Sequence, residues 1–276
     1  MPRQRKTGFL RRPDAEIYYE VTGEGPALVF AHGLGGNHVS WWQQVPHFAD
    51  RYSCVTFAHR GFTPSRIEPG GARAEAYGDD LAALADHLGF KTLALVCQSM
   101  GGWTGLDFAF RAPERVSALV LASTSGRIDY KTIEGPESTL VGRWLDHSAT
   151  AIPALQAAGI HVAMGARGAR EQPALHFLYQ EIDALTPAAA KDKMRESIIT
   201  LRDQPAARLR DLKVPVLYVV GEEDIVYPAD AAPALARLTP GAAVARVPDA
   251  GHSVYFERPQ RFNEIVDGFL TRTLRR

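Results

Sequence analysis

The chain has 276 residues, of which 46% are hydrophobic and 22% are charged, and its 31 basic side chains balance 31 acidic ones. A chain of this size can bury a large core, and its composition is typical of one globular domain with an insertion. The zero formal net charge argues against a nucleic-acid partner, because no global field would attract one. No apolar run approaches 18 residues, so we expect no transmembrane helix and no membrane partner.

The N-terminal segment is basic and carries cationic side chains at Arg3, Arg5, Lys6, Arg11 and Arg12. No apolar stretch typical of a secretory signal follows, so we expect a solvated tail and a cytoplasmic protein. Both cysteines, Cys54 and Cys97, lie in apolar runs and are predicted to be buried thiols. No Cys/His spacing suggests a metal site and no basic cluster suggests phosphate or coenzyme A, so we expect no cofactor.

Strand-like and helix-like segments alternate through the first half of the chain. Apolar runs predict strands at 15–21, 27–31, 53–58, 92–96 and 116–122. Helical spacing predicts a helix over 75–89, another after Ser99, and a third that starts at the N-cap Asn37 and buries Trp41, Trp42 and Val45. This alternation predicts an α/β fold with a mostly parallel, doubly wound sheet.

The pattern changes after residue 126. Residues 127–209 contain no strand-like run, and helix-like segments lie at 138–147, 149–164, 171–184 and 187–202. The segment is too long for a plain crossover, so we interpret it as an inserted helical lid between two parts of the core, 1–126 and 210–276. In the second part we predict strands at 214–220 and 243–247, and helices at 229–238 and from Pro259 onward.

Ser99 follows a buried strand in the run Leu95-Val96-Cys97-Gln98-Ser99-Met100-Gly101-Gly102, and a helical pattern follows the serine. A serine on a tight turn between a strand and a helix is typical of a nucleophile elbow. Small residues must flank such a serine, because strand and helix approach closely there. Gly101 supplies one of them, whereas Cys97 stands at the position where glycine is usual.

Four loops with glycines or reactive side chains follow the predicted strands: 32–37, Ser99, Asp224 and His252. Ligands of open parallel sheets bind at the carboxyl ends of the strands. Serine needs a base, so His252 would take its proton while Asp224 orients the imidazole. Each residue taken singly also fits a structural role, such as a turn, but the order Ser, Asp, His at strand ends favours a catalytic set.

A tetrahedral oxyanion would need preorganised N–H donors. The backbone N–H of Met100, directly after the serine, is one candidate. The early glycine-rich loop supplies the other, which we assign to Leu34.

These motifs resemble the α/β-hydrolase fold superfamily of serine hydrolases, which includes carboxylesterases, enol-lactonases, carbon–carbon bond hydrolases and cofactor-free haloperoxidases. The resemblance is carried by His32-Gly33, the loop 57–65, the run around Ser99, Gly221-x-x-Asp224-x-x-x-Pro228 and Gly251-His252. It covers nearly the whole chain outside the lid. It implies a catalytic triad of Ser99, Asp224 and His252, and an oxyanion hole of Leu34 and Met100.

The chain departs from the family pattern in two places. The family loop reads Asp-x-Arg-Gly-x-Gly-x-Ser, and here Ala58 replaces the aspartate and Thr63 the second glycine. Because that aspartate is normally structural, we expect altered loop packing and not lost chemistry. Cys97 is the second departure. Serine at the nucleophile position argues against haloalkane dehalogenase or epoxide hydrolase activity, and some relatives place the acid earlier, where Asp129 lies.

The expected substrate is a small molecule, because aromatic and apolar side chains dominate the predicted pocket. We list its candidate residues as Leu34, Trp41, Trp103, Tyr130, Trp144, His147, Met164, Phe177, Val226 and Tyr255. The sequence favours hydrolysis of an apolar or aromatic ester or lactone through an acyl-enzyme. Carbon–carbon hydrolysis or perhydrolysis by the same triad, a cofactor-free oxygenase that uses the His–Asp pair, and a slow-turnover ligand receptor remain alternatives. The chain could be a monomer or a homodimer.

Overall fold

The computed structural model describes residues 4–274, which form a large mixed sheet flanked by helices. The strands are β1 (Arg5–Arg12), β2 (Ala15–Thr22), β3 (Ala27–Ala31), β4 (Ser53–Phe57), β5 (Arg66–Ile67), β6 (Leu93–Gln98), β7 (Val116–Ala122), β8 (Ile128–Asp129), β9 (Gln204–Pro205), β10 (Val216–Gly221) and β11 (Ala243–Val247). The helices are α1 (Val45–Phe48), α2 (Tyr77–His87), α3 (Gly101–Arg111), α4 (Pro136–Ala157), α5 (Gly165–Glu171), α6 (Pro173–Ala184), α7 (Ala188–Thr200), α8 (Ala231–Leu238), α9 (Val254–Glu257) and α10 (Pro259–Leu274).

The main sheet runs in the order β1-β2-β4-β3-β6-β7-β10-β11, and the short β5 pairs with β2. β1, β2 and β4 pair antiparallel, whereas every pair from β4 to β11 is parallel. The chain therefore reverses its direction of winding between β3 and β6, which are hydrogen-bonded neighbours. Such a switch point is where ligands of open parallel sheets bind. The predicted fold class is confirmed.

Side chains of the central strands alternate between two cores. Along β6, Leu93, Leu95 and Cys97 belong to the apolar cluster on one face of the sheet. Ala94 and Val96 belong to the cluster on the other face. Because both faces are covered, the strands are continuous apolar runs without polar alternation, as expected for a doubly wound sheet.

The basic N-terminal segment is a strand, so the prediction of a solvated tail is wrong for the residues described. β1 pairs along its whole length with β2. Arg5 hydrogen-bonds Glu20, and Arg12 donates to Asp80 at 3.1 Å. Acidic partners on the neighbouring elements therefore accommodate the charges. Arg3 lies outside the described residues.

The segment after Asn37 also differs from its prediction. The Asn37 side chain does cap, accepting from the N–H of Val39 at 3.0 Å. However, a 3₁₀ turn (His38–Trp41) and the one-turn helix α1 replace the single helix that we expected. Trp42 is 44% exposed instead of buried.

The region 127–209 is mostly helical, but it is not free of strands. β8 and β9 pair in parallel and join the two ends of the region. The two helices predicted at 138–147 and 149–164 are a single helix of 22 residues, α4, which continues through Pro153. An interior proline removes one backbone hydrogen bond, and the rest of a long helix can absorb that loss when it packs on the protein. None of the helices described combines the length and apolar character that a membrane span requires.

Candidate active site

Ser99 lies on the turn between β6 and α3, at the switch point of the sheet. Its φ is +48°, a left-handed conformation that costs a residue with a Cβ about 1–3 kcal/mol. Its N–H donates to the carbonyl of Ala122 on the neighbouring strand at 3.0 Å, which ties the turn to the sheet. Ser99 is only half-buried, so its hydroxyl remains accessible at the edge of the sheet.

Small residues allow this turn to be tight. A Cβ at Gly101 would lie 2.2 Å from the carbonyl oxygen of Ala31, so α3 could not approach β3 with any side chain there. A Cβ at Gly33 would lie 3.1 Å from the Cβ of Ser99. The glycine-rich loop after β3 is therefore in direct contact with the serine.

A hydrogen-bonded chain runs from Ser99 through His252 to Asp224. His252 Nε2 is 2.8 Å from Ser99 Oγ, and His252 Nδ1 is 2.9 Å from Asp224 Oδ2. An ionised carboxylate can only accept, so Nδ1 carries the proton and Nε2 is free to accept from the serine hydroxyl. His252 and Asp224 are both buried, at 4% and 3% exposure, so water competes little with this arrangement.

Asp224 is held from three sides. Its Oδ1 accepts the backbone N–H groups of Val226 and Tyr227, each at 2.8 Å. The indole N–H of Trp144, on α4, donates to its backbone carbonyl at 2.7 Å. Only Oδ2 is therefore left for the imidazole, which fixes the orientation of the ring. The alternative acid, Asp129, instead accepts the N–H of Lys131 at 3.0 Å and caps a 3₁₀ turn.

A second buried carboxyl group, Glu257, supports the loop that carries His252. It accepts the N–H of Gly251 at 3.0 Å and that of Ser253 at 3.2 Å, on separate oxygens. Burial raises the pKa of Glu257 to about 8, although the two N–H donors oppose the shift. Sequence reasoning missed this residue, because its partners are backbone groups that leave no pattern of residue types.

Helix α5, which lies within residues 127–209, packs directly on this support. A Cβ at Gly168 would lie 2.7 Å from Glu257 Oε2, and one at Gly165 would lie 3.4 Å from the Cα of Gly251. Arg167 forms ion pairs with Glu223, next to the acid, and with Asp249, before the histidine loop. Helix α5 therefore helps to hold the positions of both loops.

The predicted oxyanion donors, Leu34 and Met100, lie on the two loops that meet at Ser99. None of the hydrogen bonds found within residues 4–274 uses either backbone N–H. His32 shapes the first loop: its Nδ1–H donates to the carbonyl of Gly33 at 2.7 Å, and its Nε2 accepts from the N–H of His59 at 2.9 Å. Burial lowers the pKa of His32 to about 3, so the ring stays neutral in this tautomer.

The predicted pocket residues have different surroundings. Trp41, Met164 and Tyr255 are fully buried in the core, where the rings of Trp41 and Tyr255 lie 4.4 Å apart. Phe177 is 63% exposed and His147 is also exposed to solvent. Three of these residues therefore pack in the core and two face solvent, and their role in a pocket stays a prediction.

The other five candidates lie beside the Ser–His–Asp chain. Leu34 packs with Trp103 and Met100 in a small apolar cluster next to the serine. Tyr130 contacts the ring of Trp144 edge-on, with centroids 6.4 Å apart, on the side of Asp224. Val226 donates to Asp224, as described above. Two walls thus flank the candidate site, one next to the serine and one next to the aspartate.

This geometry provides a serine hydroxyl, an imidazole in hydrogen-bond contact with it, and backbone N–H groups on adjacent loops that could hold an oxyanion. It is suited to nucleophilic attack on a carbonyl carbon, with the resulting negative charge held by those donors. Among the described residues no cluster of three or more His, Cys, Asp or Glu side chains could hold a metal ion.

Comparison with known proteins agrees with the fold. A family model for the alpha/beta hydrolase fold matches residues 26–259. The chain is 26% identical over 260 residues to a protein of Azorhizobium caulinodans with the provisional name carbamate hydrolase RutD, covering 93% of this chain and 95% of that one. It is 35% identical over 121 residues to 3-oxoadipate enol-lactonase 2 of Acinetobacter baylyi, covering 43% and 45% of the two chains.

Among solved structures, Est816, described as an N-acyl homoserine lactone degrading enzyme, superposes with a TM-score of 0.76 and 25% sequence identity. The superposition covers 95% of this chain and all of that one. The family model alone spans most of the chain, and the sheet order agrees with it. The chain therefore belongs to the α/β-hydrolase fold family.

Proposed function

We propose that this protein is a serine hydrolase that cleaves a small ester or lactone through an acyl-enzyme. The observation that carries the proposal is the hydrogen-bonded chain from Ser99 Oγ to His252 and Asp224, with the serine on a strained turn at the switch point. Ser99 is the nucleophile, His252 the general base and Asp224 the residue that orients the base.

The first half-reaction follows from the proton positions. Ser99 Oγ attacks the carbonyl carbon of the substrate while its proton passes to His252 Nε2. The negative charge that develops on the carbonyl oxygen is held by the N–H groups of Leu34 and Met100, each such donor being worth about 10²–10³ in rate. The tetrahedral intermediate then expels the alcohol, which takes the proton from His252 and leaves the acyl-enzyme.

Water completes the cycle in the second half-reaction. His252 accepts a proton from the water as it attacks the acyl carbonyl, and then returns a proton to Ser99. In a lactone the leaving alcohol remains part of the acyl chain, so a single hydroxy acid is released. The route requires only these side chains, backbone donors and water.

The names of the relatives support a carbonyl substrate with a C–O or C–N bond to be cleaved: a carbamate, an enol-lactone and an N-acyl homoserine lactone. The rings of Trp103 and Tyr130, one in each wall, suit an apolar or ring-bearing substrate. We propose that the helices of residues 127–209 serve as a lid that closes this pocket to water. Helix α7 supports this role, because its Met194 and Ile198 pack in the same apolar cluster as Met100.

The test is a substrate panel of aryl esters, lactones and vinylogous diketones, assayed with the wild type and with Ser99→Ala. We expect turnover of an ester or lactone, and a loss on the order of 10⁴–10⁶ in the variant. A serine-directed fluorophosphonate should label the wild type at Ser99 and leave the variant unlabelled. Full activity in Ser99→Ala would overturn the nucleophile assignment.

Oxygen consumption measured on the same panel separates hydrolysis from the oxygenase alternative. Hydrolysis consumes no dioxygen and requires Ser99. An oxygenase that uses only the His–Asp pair would consume one dioxygen per substrate and would tolerate Ser99→Ala.

A further inference from the structure

Arg202, just after helix α7, lies between the two walls of the candidate site and has no ion-pair partner among residues 4–274. Its guanidinium carbon lies 5.3 Å from the ring centre of Trp103 and 4.9 Å from that of Tyr130. Trp103 is on the helix that follows Ser99, and Tyr130 contacts Trp144 and Tyr227, which hold and flank Asp224. Arg202 thus links the nucleophile side to the acid side.

Its lack of an ion pair is unusual for this protein. Among the arginines of residues 4–274 that are at least partly buried, the other six each pair with a carboxylate: Arg12, Arg60, Arg115, Arg127, Arg167 and Arg258. Two acids beside Arg202 and its partner Tyr130 in the sequence are engaged elsewhere, because Asp203 pairs with Arg127 and Asp129 caps a turn. A partly buried charge without a counterion is costly, so a missing anionic partner is a reasonable explanation.

The surroundings of Arg202 are also rich in unused donors. Within the described part of the chain, Arg202 Nε, Trp103 Nε1 and the hydroxyl of Tyr227 are buried and have no hydrogen-bond partner. The one bond that the guanidinium makes is from Nη1 to the hydroxyl oxygen of Tyr130, at 3.3 Å. The site therefore has more unpaired donors than its two hydroxyl oxygens could accept from.

The contacts with the two rings leave most N–H groups of the guanidinium available to a planar anion. Contact with aromatic faces stabilises the cation without using its N–H groups, which lie in the plane of the guanidinium. Those groups form a fork that matches a carboxylate and can bind both of its oxygens. The residue is partly exposed, so its guanidinium is not sealed within the core.

From these observations we propose that Arg202 binds a carboxylate carried by the substrate, away from the carbonyl that Ser99 attacks. The inference rests on the proposed hydrolase function and narrows its substrate class to anionic esters or lactones, such as the half-ester of a dicarboxylic acid. The aromatic rings of Trp103 and Tyr130 would contact the apolar chain between the two groups.

A matched pair of esters tests this proposal. The 4-nitrophenyl half-ester of adipate and 4-nitrophenyl hexanoate have the same leaving group and acyl length, but only the first carries a terminal carboxylate. We expect the wild type to prefer the adipate ester. In Arg202→Met, kcat/KM should fall on the order of 100-fold for the adipate ester and less than about fivefold for hexanoate, because the charged contact is made only to adipate. Arg202→Lys should retain part of the preference.

The matched control is Arg127→Met, which removes a neighbouring, partly buried arginine that pairs with Asp203. Its ratio of adipate to hexanoate turnover should equal that of the wild type. Equal losses for both esters in Arg202→Met, or no preference for adipate in the wild type, would refute the carboxylate site.

A binding measurement separates this inference from the proposed function. Calorimetry with Ser99→Ala should show tighter binding of monomethyl adipate than of methyl hexanoate, and the Ser99→Ala/Arg202→Met double variant should lose most of that difference. If the wild type hydrolyses no member of the substrate panel, the hydrolase proposal fails, yet this experiment still decides whether Arg202 binds a carboxylate. Equal binding of the two esters to Ser99→Ala would count against the site in either case.

Discussion

The Sγ of Cys97 occupies the space that a side chain at Gly105 would need: a Cβ built on Gly105 would lie 2.4 Å from it. Cys97 stands at the position of the elbow where glycine is usual. Its side chain faces Gly105, in the second turn of α3. The absence of a side chain at Gly105 therefore makes room for the thiol. Burial raises the pKa of the Cys97 thiol well above its ordinary value, so the group behaves as a small apolar side chain.

This pairing predicts a destabilised Gly105→Ala variant. Alanine normally stabilises a helix interior by about 0.5–1 kcal/mol relative to glycine. Here we expect a net loss of about 1–3 kcal/mol in the free energy of unfolding, because overpacking a buried contact costs that much. Urea unfolding would measure it. The matched control is Gly142→Ala in α4, where a Cβ meets nothing within 4 Å and should stabilise.

The double variant Cys97→Gly/Gly105→Ala should regain most of the loss, because the added methyl group replaces the removed thiol. If Gly105→Ala were as stable as Gly142→Ala, or if the double variant were no better than Gly105→Ala, the packing explanation would not hold.

Replacing the acid should disable the proposed base through its tautomer. In Asp224→Asn the side-chain oxygen is needed at the Oδ1 position, where it accepts the N–H groups of Val226 and Tyr227. The amide NH₂ then faces His252 Nδ1, which must accept, so the proton moves to Nε2 and the ring cannot take a proton from Ser99. We expect kcat to fall on the order of 10⁴-fold with the fold intact, as measured by ester hydrolysis.

Asp129→Asn is the control for this variant. The amide oxygen of the new side chain would still accept the N–H of Lys131, because asparagine caps turns as well as aspartate. Its activity should stay within about twofold of the wild type. Loss of activity in Asp129→Asn but not in Asp224→Asn would transfer the role of the acid to Asp129.

Glu257→Gln should lower kcat without a matching change in KM, because Glu257 positions the loop of His252 and has no proposed contact with substrate. A carboxyl group accepts from Gly251 and Ser253 on separate oxygens, whereas an amide offers one oxygen and turns a donor toward the other N–H. We expect kcat to fall about tenfold, the loss that one unmade hydrogen bond can cause. A raised KM with unchanged kcat would contradict a positioning role.

Glu257 also predicts a pH dependence of stability. Because its pKa is about 8 in the folded protein and about 4.5 in an unfolded chain, the unfolded chain loses the proton first as pH rises. The stability that this group contributes is complete below pH 4.5 and is lost as pH rises through 8. Urea unfolding should show the wild type losing stability relative to Glu257→Gln between about pH 5 and 8. A constant difference across this range would argue against the raised pKa.

The central sheet could be predicted from the sequence because its strands are buried on both faces and are therefore continuous apolar runs. β3 and β7 have the predicted bounds, and β4 and β6 differ by one or two residues. β1 could not be predicted in the same way, since only Leu10 is buried along it and its stability comes from pairing with β2. The break that we predicted near Pro153 is also absent, because packing of α4 on the protein outweighs the preference of proline to end a helix.

The candidate site likewise contains residues that a sequence pattern reveals and residues that only their spatial neighbours reveal. Ser99, Asp224 and His252 were recognisable because each follows a strand and because their order is diagnostic, and the structure brings their side chains into contact. Glu257 and Arg202 could not be recognised from the sequence, because the roles proposed for them depend on the groups that lie beside them in space. For Glu257 the partners are backbone groups, and for Arg202 the observation is a missing partner within the described residues, which no sequence pattern records.

Arg60, in the loop that lacks the family aspartate, provides the last prediction. Its guanidinium is almost fully buried and binds both carboxylate oxygens of Asp80, at 2.7 and 2.8 Å, and Asp14 at 2.9 Å. Arg60→Met would leave Asp80, which is 3% exposed, with Arg12 as its remaining ion-pair partner. We expect a loss of about 3 kcal/mol in the free energy of unfolding, the lower end of the cost of an uncompensated buried charge, because Arg12 still compensates part of the charge of Asp80.

A second double variant separates this cost from simple loss of packing. Arg60→Met/Asp80→Leu removes both charges of the main pair and should be clearly more stable than Arg60→Met alone, because a buried ion pair can be replaced by apolar contacts at little cost. If the double variant were less stable than Arg60→Met, the cost would come from packing and not from the unpaired carboxylate.

Arg60 should also determine how the protein responds to acid. Hydrogen bonds from Arg60, and then from Arg73, lower the pKa of Asp14 to about 2. A lowered carboxylate pKa contributes stability above the unfolded value of about 3.8, and that stability is lost as pH falls toward 2. In Arg60→Met the pKa of Asp14 should move toward its ordinary value, so its contribution to stability becomes smaller and acid unfolding begins at higher pH than in the wild type. Circular dichroism from about pH 6 to pH 2 measures this shift. An acid midpoint that does not change would mean that Arg60 leaves the ionisation of Asp14 unaffected.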